Sequence, residues 1–259
     1  MELLLKVFSR KALDYDAAHK ALAFVLEYGG GALRPFECGV YEPFEPFQPA
    51  NLEQYVGWLT NPGGEFCFRR PAEPFPLRGC ISNLLFSDVA TMPQPTVCTR
   101  WSMRMGSAVI VSKGPEFIKQ LASDVCRLAQ ADYGLVATDH DYRAKHFSSV
   151  REGVSEVQQY IGDNPEHGIP GVYWMNFFGP VYVDYFGKQK LAAVRDDAEI
   201  IFLDTGGVYL RFGRLPEDSH TPVAVEHQRA VIRILGEEAF FDLRHPERKR
   251  DVPALLRPR

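Results

Sequence analysis

The sequence predicts an α+β fold in which a mixed, largely antiparallel β-sheet is packed against helices. Strand-like and helix-like segments follow one another irregularly, without repeated βαβ units, and many are separated by turns that contain Gly or Pro. The 259 residues are 46% hydrophobic and 24% charged, which is typical of a globular protein with a sizeable core. We predict a single domain over residues 1–259 and leave open a division into parts 1–105 and 106–245.

Periodicity and turn residues predict the elements of the first part of the chain. Asp14 or Asp16 can cap the first helix, and the glycines at 29–31 end it. The predicted elements are a strand at 3–8, a helix up to about Tyr28, a helix at 51–60, and strands at 65–69, 81–86 and 96–105.

The middle of the chain carries its clearest helix. Residues 107–112 place Ala-Val-Ile-Val between two serines and predict a strand. Gly114-Pro115 then begins a helix, because proline suits the first helical turn, and its apolar residues recur with the 3.6-residue period. A short strand is predicted at 134–138, followed by a polar stretch from Asp139 to Gly168.

The last third of the chain is the most regular. Residues 171–178 predict a strand with large apolar residues on both faces, and such a strand is buried on both sides and therefore central. The remaining predictions are a helix from Gly179-Pro180 to Gly187, a hairpin of strands 200–203 and 208–212 around Gly206-Gly207, and a helix at 226–235.

Charge and hydropathy narrow the choice of partners. Lys and Arg total 29 against 33 Asp and Glu, so the formal net charge is −4. This disfavours nucleic acid as the main partner, since phosphate binding depends on clustered Lys and Arg. The three leucines at 3–5 are too few for a signal-peptide core, and no apolar run approaches the ~20 residues of a membrane helix. We expect a soluble, cytoplasmic protein without a membrane or nucleic-acid partner.

The cysteine pattern predicts free thiols. The cysteines are odd in number, are scattered and form no Cys-x-x-Cys pair, which favours neither a disulfide framework nor a thiolate zinc site. We expect buried or half-buried thiols in a reducing compartment. The five residues are Cys38, Cys67, Cys80, Cys98 and Cys126.

One cluster of polar residues could carry chemistry. Asp139, His140, Asp141 and His146 could bind a divalent metal or supply a general base. Their spacing matches no known metal motif, and in a helix the two histidines would point about 120° apart. A solvated loop or helix cap is the favoured interpretation. No nucleophile motif or phosphate loop is present in the sequence. We therefore expect no enzyme, metal or cofactor, with a metal-dependent hydrolase that uses these four residues as the alternative.

Two segments suit a partner-binding surface. The first is a Pro- and Phe-rich arm, whose aromatics either anchor it to the protein's own core or form an interface hot spot. The second is the polar stretch after Asp139, whose carboxylates could occupy a basic cleft or simply face solvent. The predicted contact residues are Tyr41, Glu42, Phe44, Glu45 and Phe47 in the arm, and Asp139, Asp141, Glu152, Glu156, Asp163 and Glu166 in the polar stretch.

A motif in the last third resembles a known family. Residues 169–187 read Ile-Pro-Gly-Val-Tyr-Trp-Met-Asn-Phe-Phe-Gly-Pro-Val-Tyr-Val-Asp-Tyr-Phe-Gly. This run resembles the core motif of the immunity protein 52 family and of related type VI secretion immunity proteins, a Gly-x-Tyr-Trp-x-Asn strand, a Phe-Gly turn and a short helix ending in Gly. Gly206-Gly207 and Ile234-Leu235-Gly236 before Phe240 also fit, so the resemblance covers roughly residues 165–241.

The resemblance implies a function without catalysis. Members of such families are cytoplasmic antidotes that bind a cognate secreted antibacterial toxin, often a type VI effector with a nuclease domain, and cover its active or assembly surface. The motif residues themselves are interpreted as part of the fold, because Tyr173 and Trp174 lie on a strand predicted to be buried. A structural or adaptor component of the secretion machinery is a third hypothesis.

Overall fold

The computed structural model divides the chain into two compact units, Met1–Gly134 and Leu135–Arg259. The boundary lies inside a strand rather than near residue 105, and the prediction of one domain stays a prediction. The structure describes residues 1–71, 74–86, 96–152, 155–160, 168–241 and 251–253.

In its described residues, the first unit combines an antiparallel sheet with four α-helices. Its strand order is β1-β6-β5-β4-β2-β3, and each of these pairings is antiparallel. Helix α2 contacts β4 and β5, and α4 contacts β1. The elements are β1 (Glu2–Ser9), α1 (Tyr15–Gly31), β2 (Glu37–Gly39), β3 (Glu45–Pro46), α2 (Leu52–Thr60), β4 (Glu65–Arg70), β5 (Leu77–Phe86), β6 (Thr96–Gly106), α3 (Ala108–Lys113) and α4 (Pro115–Leu128).

Local sequence signals set the ends of α1. The Asp14 side chain caps the helix by accepting a hydrogen bond of 2.8 Å from the backbone N–H of Ala17, as predicted. Helical geometry is lost at Tyr28, and Gly29 and Gly30 take positive φ angles of 59° and 71°. Positive φ is accessible mainly to glycine, so these residues end the regular helix where the sequence predicts.

The strand predicted at 107–112 is wrong, because residues 108–113 form helix α3. Strand β6 already ends at Gly106, and the Ala-Val-Ile-Val run buries only one of its residues, Val109, while Val111 is 90% exposed. A strand would have to place alternate side chains on a buried face. The backbone N–H of Gly114 instead closes the turn on the Ile110 carbonyl at 2.9 Å.

The strands of the second unit follow the order β11-β12-β10-β7. The two pairings of β12 are antiparallel. A separate hairpin pairs β8 with β9. The elements are β7 (Tyr133–Thr138), which crosses the unit boundary, α5 (Asp139–His146), β8 (Phe147–Glu152), β9 (Ser155–Tyr160), β10 (Met175–Phe178), α6 (Pro180–Phe186), α7 (Lys188–Ala193), β11 (Glu199–Phe202), β12 (Val208–Arg211) and α8 (Pro222–Leu235).

The strand predicted at 171–178 is shorter than expected. Only Met175–Phe178 are strand, although residues 171–178 are all buried. The side chain of Asn176 explains the irregular start, because it accepts a hydrogen bond from the N–H of Tyr173 and donates one to the Tyr173 carbonyl. These bonds hold the backbone in a local turn. β10 lies between β12 and β7, so its predicted internal position is confirmed.

The architecture confirms the predicted α+β class, with a largely antiparallel sheet and helices packed against it. The predicted hairpin around Gly206-Gly207 and the helix that ends at Gly187 are also present. Across the described part of the chain, no helix is both long and apolar enough to span a membrane.

Candidate functional site

The Pro- and Phe-rich arm of the first unit is held at both ends. Its β3 strand pairs with β2, which in turn pairs with β4. The N–H of Phe47 donates to the Phe36 carbonyl at 2.8 Å, and the N–H of Phe36 donates to the Arg69 carbonyl at 3.0 Å. The arm is therefore tied into the sheet, although most of its residues are exposed.

The aromatics of the arm take two different roles. The ring of Phe44 lies 5.3 Å from the Arg69 guanidinium carbon, and the ring of Phe47 lies 5.3 Å from that of Tyr55. Phe44 and Phe47 are half-buried and anchor the arm to the protein. Tyr41 is 80% exposed and therefore projects a large amphipathic side chain into solvent.

The arm also presents negative charge. Glu42 and Glu45 are both exposed. An oxygen of Glu42 lies 3.8 Å from a terminal nitrogen of Arg69, which also pairs with Glu37. The arm therefore keeps Glu45 available and holds Glu42 close to the sheet.

A cavity of about 210 Å³ lies between the arm and α2. The Tyr55 hydroxyl accepts a hydrogen bond of 3.1 Å from the backbone N–H of Gln48 at its wall. Burial raises the pKa of the Tyr55 hydroxyl and of the nearby Cys38 thiol, so both groups are neutral at physiological pH. The lining residues are Cys38, Glu45, Pro46, Gln48, Asn51, Gln54, Tyr55 and Trp58.

The prolines of the arm determine how a partner can use it. β3 is the last strand in the order of this sheet, and an open edge strand can pair with another chain. Pro43, Pro46 and Pro49 have no N–H to donate to such a pairing. We therefore expect recognition of the arm to depend mainly on its side chains.

The second predicted surface begins with α5, whose acidic residues are engaged within the helix. Asp139 pairs with Arg143 at 2.8 Å, and Asp141 pairs with Lys145 at 2.7 Å. Asp141 is only 7% exposed. The Asp141 carboxylate is therefore shielded while α5 stays packed, and its partner-contact assignment stays a prediction.

The histidines of α5 point in different directions. The ring of His140 lies 5.4 Å from that of His220, at an angle typical of edge-to-face contact. His146 is fully buried, with its Nε2 atom 3.2 Å from the Tyr173 hydroxyl. The His140 and His146 side chains thus point apart, as predicted. Asp139, His140, Asp141 and His146 do not assemble into a group of metal-ligand atoms.

The remaining acidic predictions fall near the β8–β9 hairpin. In its register, Glu152 lies opposite Ser155 and Glu156 opposite Arg151, so both glutamates lie at the tip end of the ladder. Asp163 and Glu166 lie outside the described residues. The partner-contact assignment of these four glutamates and aspartates stays a prediction.

The expectation of free thiols is wrong for two of the five cysteines. Cys67 on β4 lies directly opposite Cys80 on β5, with their Cα atoms 4.0 Å apart, and the two form a disulfide. Strand register brings them together, and cysteine spacing alone could not reveal it. Cys38, Cys98 and Cys126 are buried and outside this bond. In the described part of the chain, the one group of three or more metal-ligand atoms is that of Glu65, Cys67 and Cys80.

The family-like motif serves the fold, as predicted. Tyr173 and Trp174 are fully buried. At Gly171 a Cβ atom would lie 2.8 Å from the side chain of Lys145, so the backbone needs glycine for this close approach. Gly187 has a φ of 80°, which lets the chain leave one helix and enter the next.

Of three comparisons with known proteins, the one with solved structures found a similar fold. No protein-family model matches it, and no curated protein matches it. Among solved structures, the Pseudomonas aeruginosa T6SS protein PA0821 is similar, with a TM-score of 0.54 over 88% of this chain and 72% of that chain. The sequences are 13% identical, so this likeness extends to the fold alone.

Proposed function

We propose that this chain is a non-enzymatic binding protein that neutralises a secreted antibacterial toxin of a type VI secretion system. The observation that carries the proposal is the arm. It is fixed to the sheet at both ends and presents Tyr41, Glu42 and Glu45 to solvent beside a cavity of about 210 Å³.

The arm is preorganised for binding. A segment that is already ordered loses little conformational entropy on binding, and that saving increases affinity. Tyrosine is one of the residues that dominate binding energy at protein interfaces. The carboxylates of Glu42 and Glu45 suit a basic surface, and the cleft of a nuclease is basic because it binds phosphates.

Two further observations support an association with type VI secretion. Residues 169–187 resemble the core motif of type VI immunity proteins. The fold is similar to that of a P. aeruginosa T6SS protein, which is compatible with a role beside that machinery. We also propose Asp139, Glu152 and Glu156 as secondary contacts of the toxin, because their carboxylates suit a basic partner surface.

The proposal is tested by co-expressing the chain with the toxin domain encoded beside it. We expect a stable complex on co-purification and restored growth of cells that express the toxin. Tyr41→Ala should weaken the complex by about 2 kcal/mol, a typical hot-spot value, because a large exposed side chain loses its partner surface. Its thermal unfolding should match that of the wild type, since Tyr41 is 80% exposed.

Phe202→Ala is the matched control, because this aromatic is 42% exposed on β11, outside the arm, α5 and the β8–β9 hairpin, and should leave the complex unchanged. The absence of both a stable complex and restored growth would contradict the proposal. Binding to components of the secretion apparatus with full toxin activity would favour an adaptor. Stoichiometric metal in the purified protein that is lost on His140→Ala would favour the hydrolase alternative.

A further inference from the structure

Three arginines lie side by side on the first unit's sheet. The register places Arg69 of β4 directly opposite Arg78 of β5, and Arg78 directly opposite Arg104 of β6. Directly opposite residues on antiparallel strands project from the same face, with Cβ atoms about 5 Å apart. The three side chains therefore form a row that spans about 10 Å across three strands. We call Arg69, Arg78 and Arg104 the arginine row.

The row lies on the more exposed face of these strands. In β4, Phe66 and Phe68 are buried, whereas Cys67 and Arg69 are half-buried and alternate with them. Arg104 is likewise half-buried, and Arg78 is exposed. The apolar face contributes to the core, and the arginine row faces the other way.

Charge compensation in the row is incomplete. Like charges that lie directly opposite each other destabilise a sheet. The outer members have acidic neighbours, because Arg69 pairs with Glu37 and Glu42, and Arg104 lies 3.4 Å from Glu2. Arg78 lies between two other guanidinium groups and forms no ion pair with any described residue. The row thus lacks a negative group at its centre.

We propose that the arginine row binds a carboxylate of an acidic protein segment, with Arg78 as its central contact. A guanidinium group donates two parallel hydrogen bonds to a carboxylate, and the chain already pairs carboxylates with both ends of the row. This deepens the proposed function, because it adds a chemical requirement to the partner's surface.

The neighbourhood favours a protein over a nucleic acid. Glu42 belongs to the arm and lies 3.8 Å from Arg69, so the acidic arm and the arginine row form one continuous surface with a negative and a positive half. A phosphate backbone laid along the row would meet Glu37 and Glu42. A protein partner can place a carboxylate on Arg78 and a basic side chain near Glu45, which fixes its orientation as well as its affinity.

The row can be tested without the toxin. The purified full chain is titrated at low salt with a labelled oligoglutamate peptide and, separately, with a single-stranded oligonucleotide of equal charge, and binding is followed by fluorescence anisotropy. We expect the peptide to bind the wild type. Arg78→Ser should weaken peptide binding about tenfold, because a charge-assisted hydrogen bond is lost. Arg78→Lys should weaken it less, since the charge remains without the planar fork.

Arg127→Ser is the control, because Arg127 is an exposed arginine of α4 in the same unit and pairs with Asp124. It should bind the peptide as the wild type does. The melting temperature of Arg78→Ser should equal or exceed that of the wild type, because repulsion within the row is relieved.

Three binding results would overturn the inference. These are no peptide binding by the wild type, equal binding by wild type and Arg78→Ser, or tighter binding of the oligonucleotide than of the peptide. A clear fall in the melting temperature of Arg78→Ser would also overturn it, because Arg78 would then serve the fold. Since the assay contains no toxin, its failure leaves the antidote test unaffected, and the reverse also holds.

Discussion

Gly79 and Phe68 show how single residues set the packing of the first unit. They lie directly opposite each other on β5 and β4. A Cβ atom at position 79 would lie 2.2 Å from the ring of Phe68, so the ring covers the backbone of the glycine. An aromatic that lies across a facing glycine in this way stabilises a position that is otherwise weak in a strand.

We therefore expect Gly79→Ala to lower the free energy of unfolding by about 1–3 kcal/mol, because the buried ring must move. Gly57→Ala is the matched control, since this glycine lies in α2 and a Cβ there meets nothing within 4 Å. The control should gain up to about 1 kcal/mol through helix propensity. Urea unfolding measures the free energy of unfolding of both variants. Equal effects of the two substitutions would contradict close packing of Phe68 on Gly79.

Lys145 brings a charge into the interior of the second unit. Its ammonium group contacts the Asp141 carboxylate, the Val172 carbonyl, the Gln228 side chain and the ring of Tyr173, at 4.7 Å from the ring centre. Burial lowers the pKa of Lys145 below its ordinary value of 10.5, and the nearby carboxylate of Asp141 opposes this shift. The lowered pKa means that the folded state holds this proton less tightly than the unfolded chain does.

A pH dependence follows from the lowered pKa of Lys145. Between that pKa and 10.5 the unfolded chain binds more protons, so the free energy of unfolding should rise with pH up to about 10.5 and fall as pH decreases through the folded pKa. Lys145→Met lacks this contribution. The unfolding free energy of the wild type minus that of the variant should therefore rise with pH between the folded pKa of Lys145 and 10.5, and a constant difference would contradict the shift.

At the scale of elements, the β4–β5 hairpin carries the disulfide. Cys67 and Cys80 are separated by 13 positions and are cross-strand partners. Closing a loop of this size stabilises a fold by up to about 3 kcal/mol, mainly by restricting the unfolded chain. Both cysteines are half-buried, so a reductant can reach the bond.

Reduction with a thiol reagent should lower the melting temperature of the wild type. Cys67→Ser/Cys80→Ser should melt at the reduced wild-type temperature with or without reductant. Cys126→Ala, which removes a buried cysteine outside the bond, should retain the response to reductant. If the reductant leaves the wild-type melting temperature unchanged, the disulfide does not form in solution.

Elements with a strong local sequence signal are predictable, and features that depend on distant residues are not. Helix α4 was predicted correctly because its periodicity and Gly114-Pro115 act within one segment. The short apolar run Ala-Val-Ile-Val of α3 is compatible with a strand and with a helix. Tertiary packing decides between the two. The disulfide and the arginine row were missed because both depend on strand register, which neighbouring residues do not encode.

At the scale of the whole molecule, charge is unevenly distributed. The net charge of −4 suggests an acidic surface, yet the first unit places an arginine row beside its acidic arm. The sequence located the arm through its prolines and aromatics, and the structure separates anchoring Phe44 and Phe47 from exposed Tyr41. Net charge could not reveal this surface, because it averages over residues that the fold groups together.

The proposed function requires that the chain inhibit its toxin by binding it. The most direct test is to titrate the catalytic activity of the purified toxin domain with the purified chain and with Tyr41→Ala. We predict that the wild-type chain reduces the toxin's activity to zero at one chain per toxin. The Tyr41→Ala chain should need a higher concentration for the same inhibition. Undiminished toxin activity at a large excess of the wild-type chain would contradict the account.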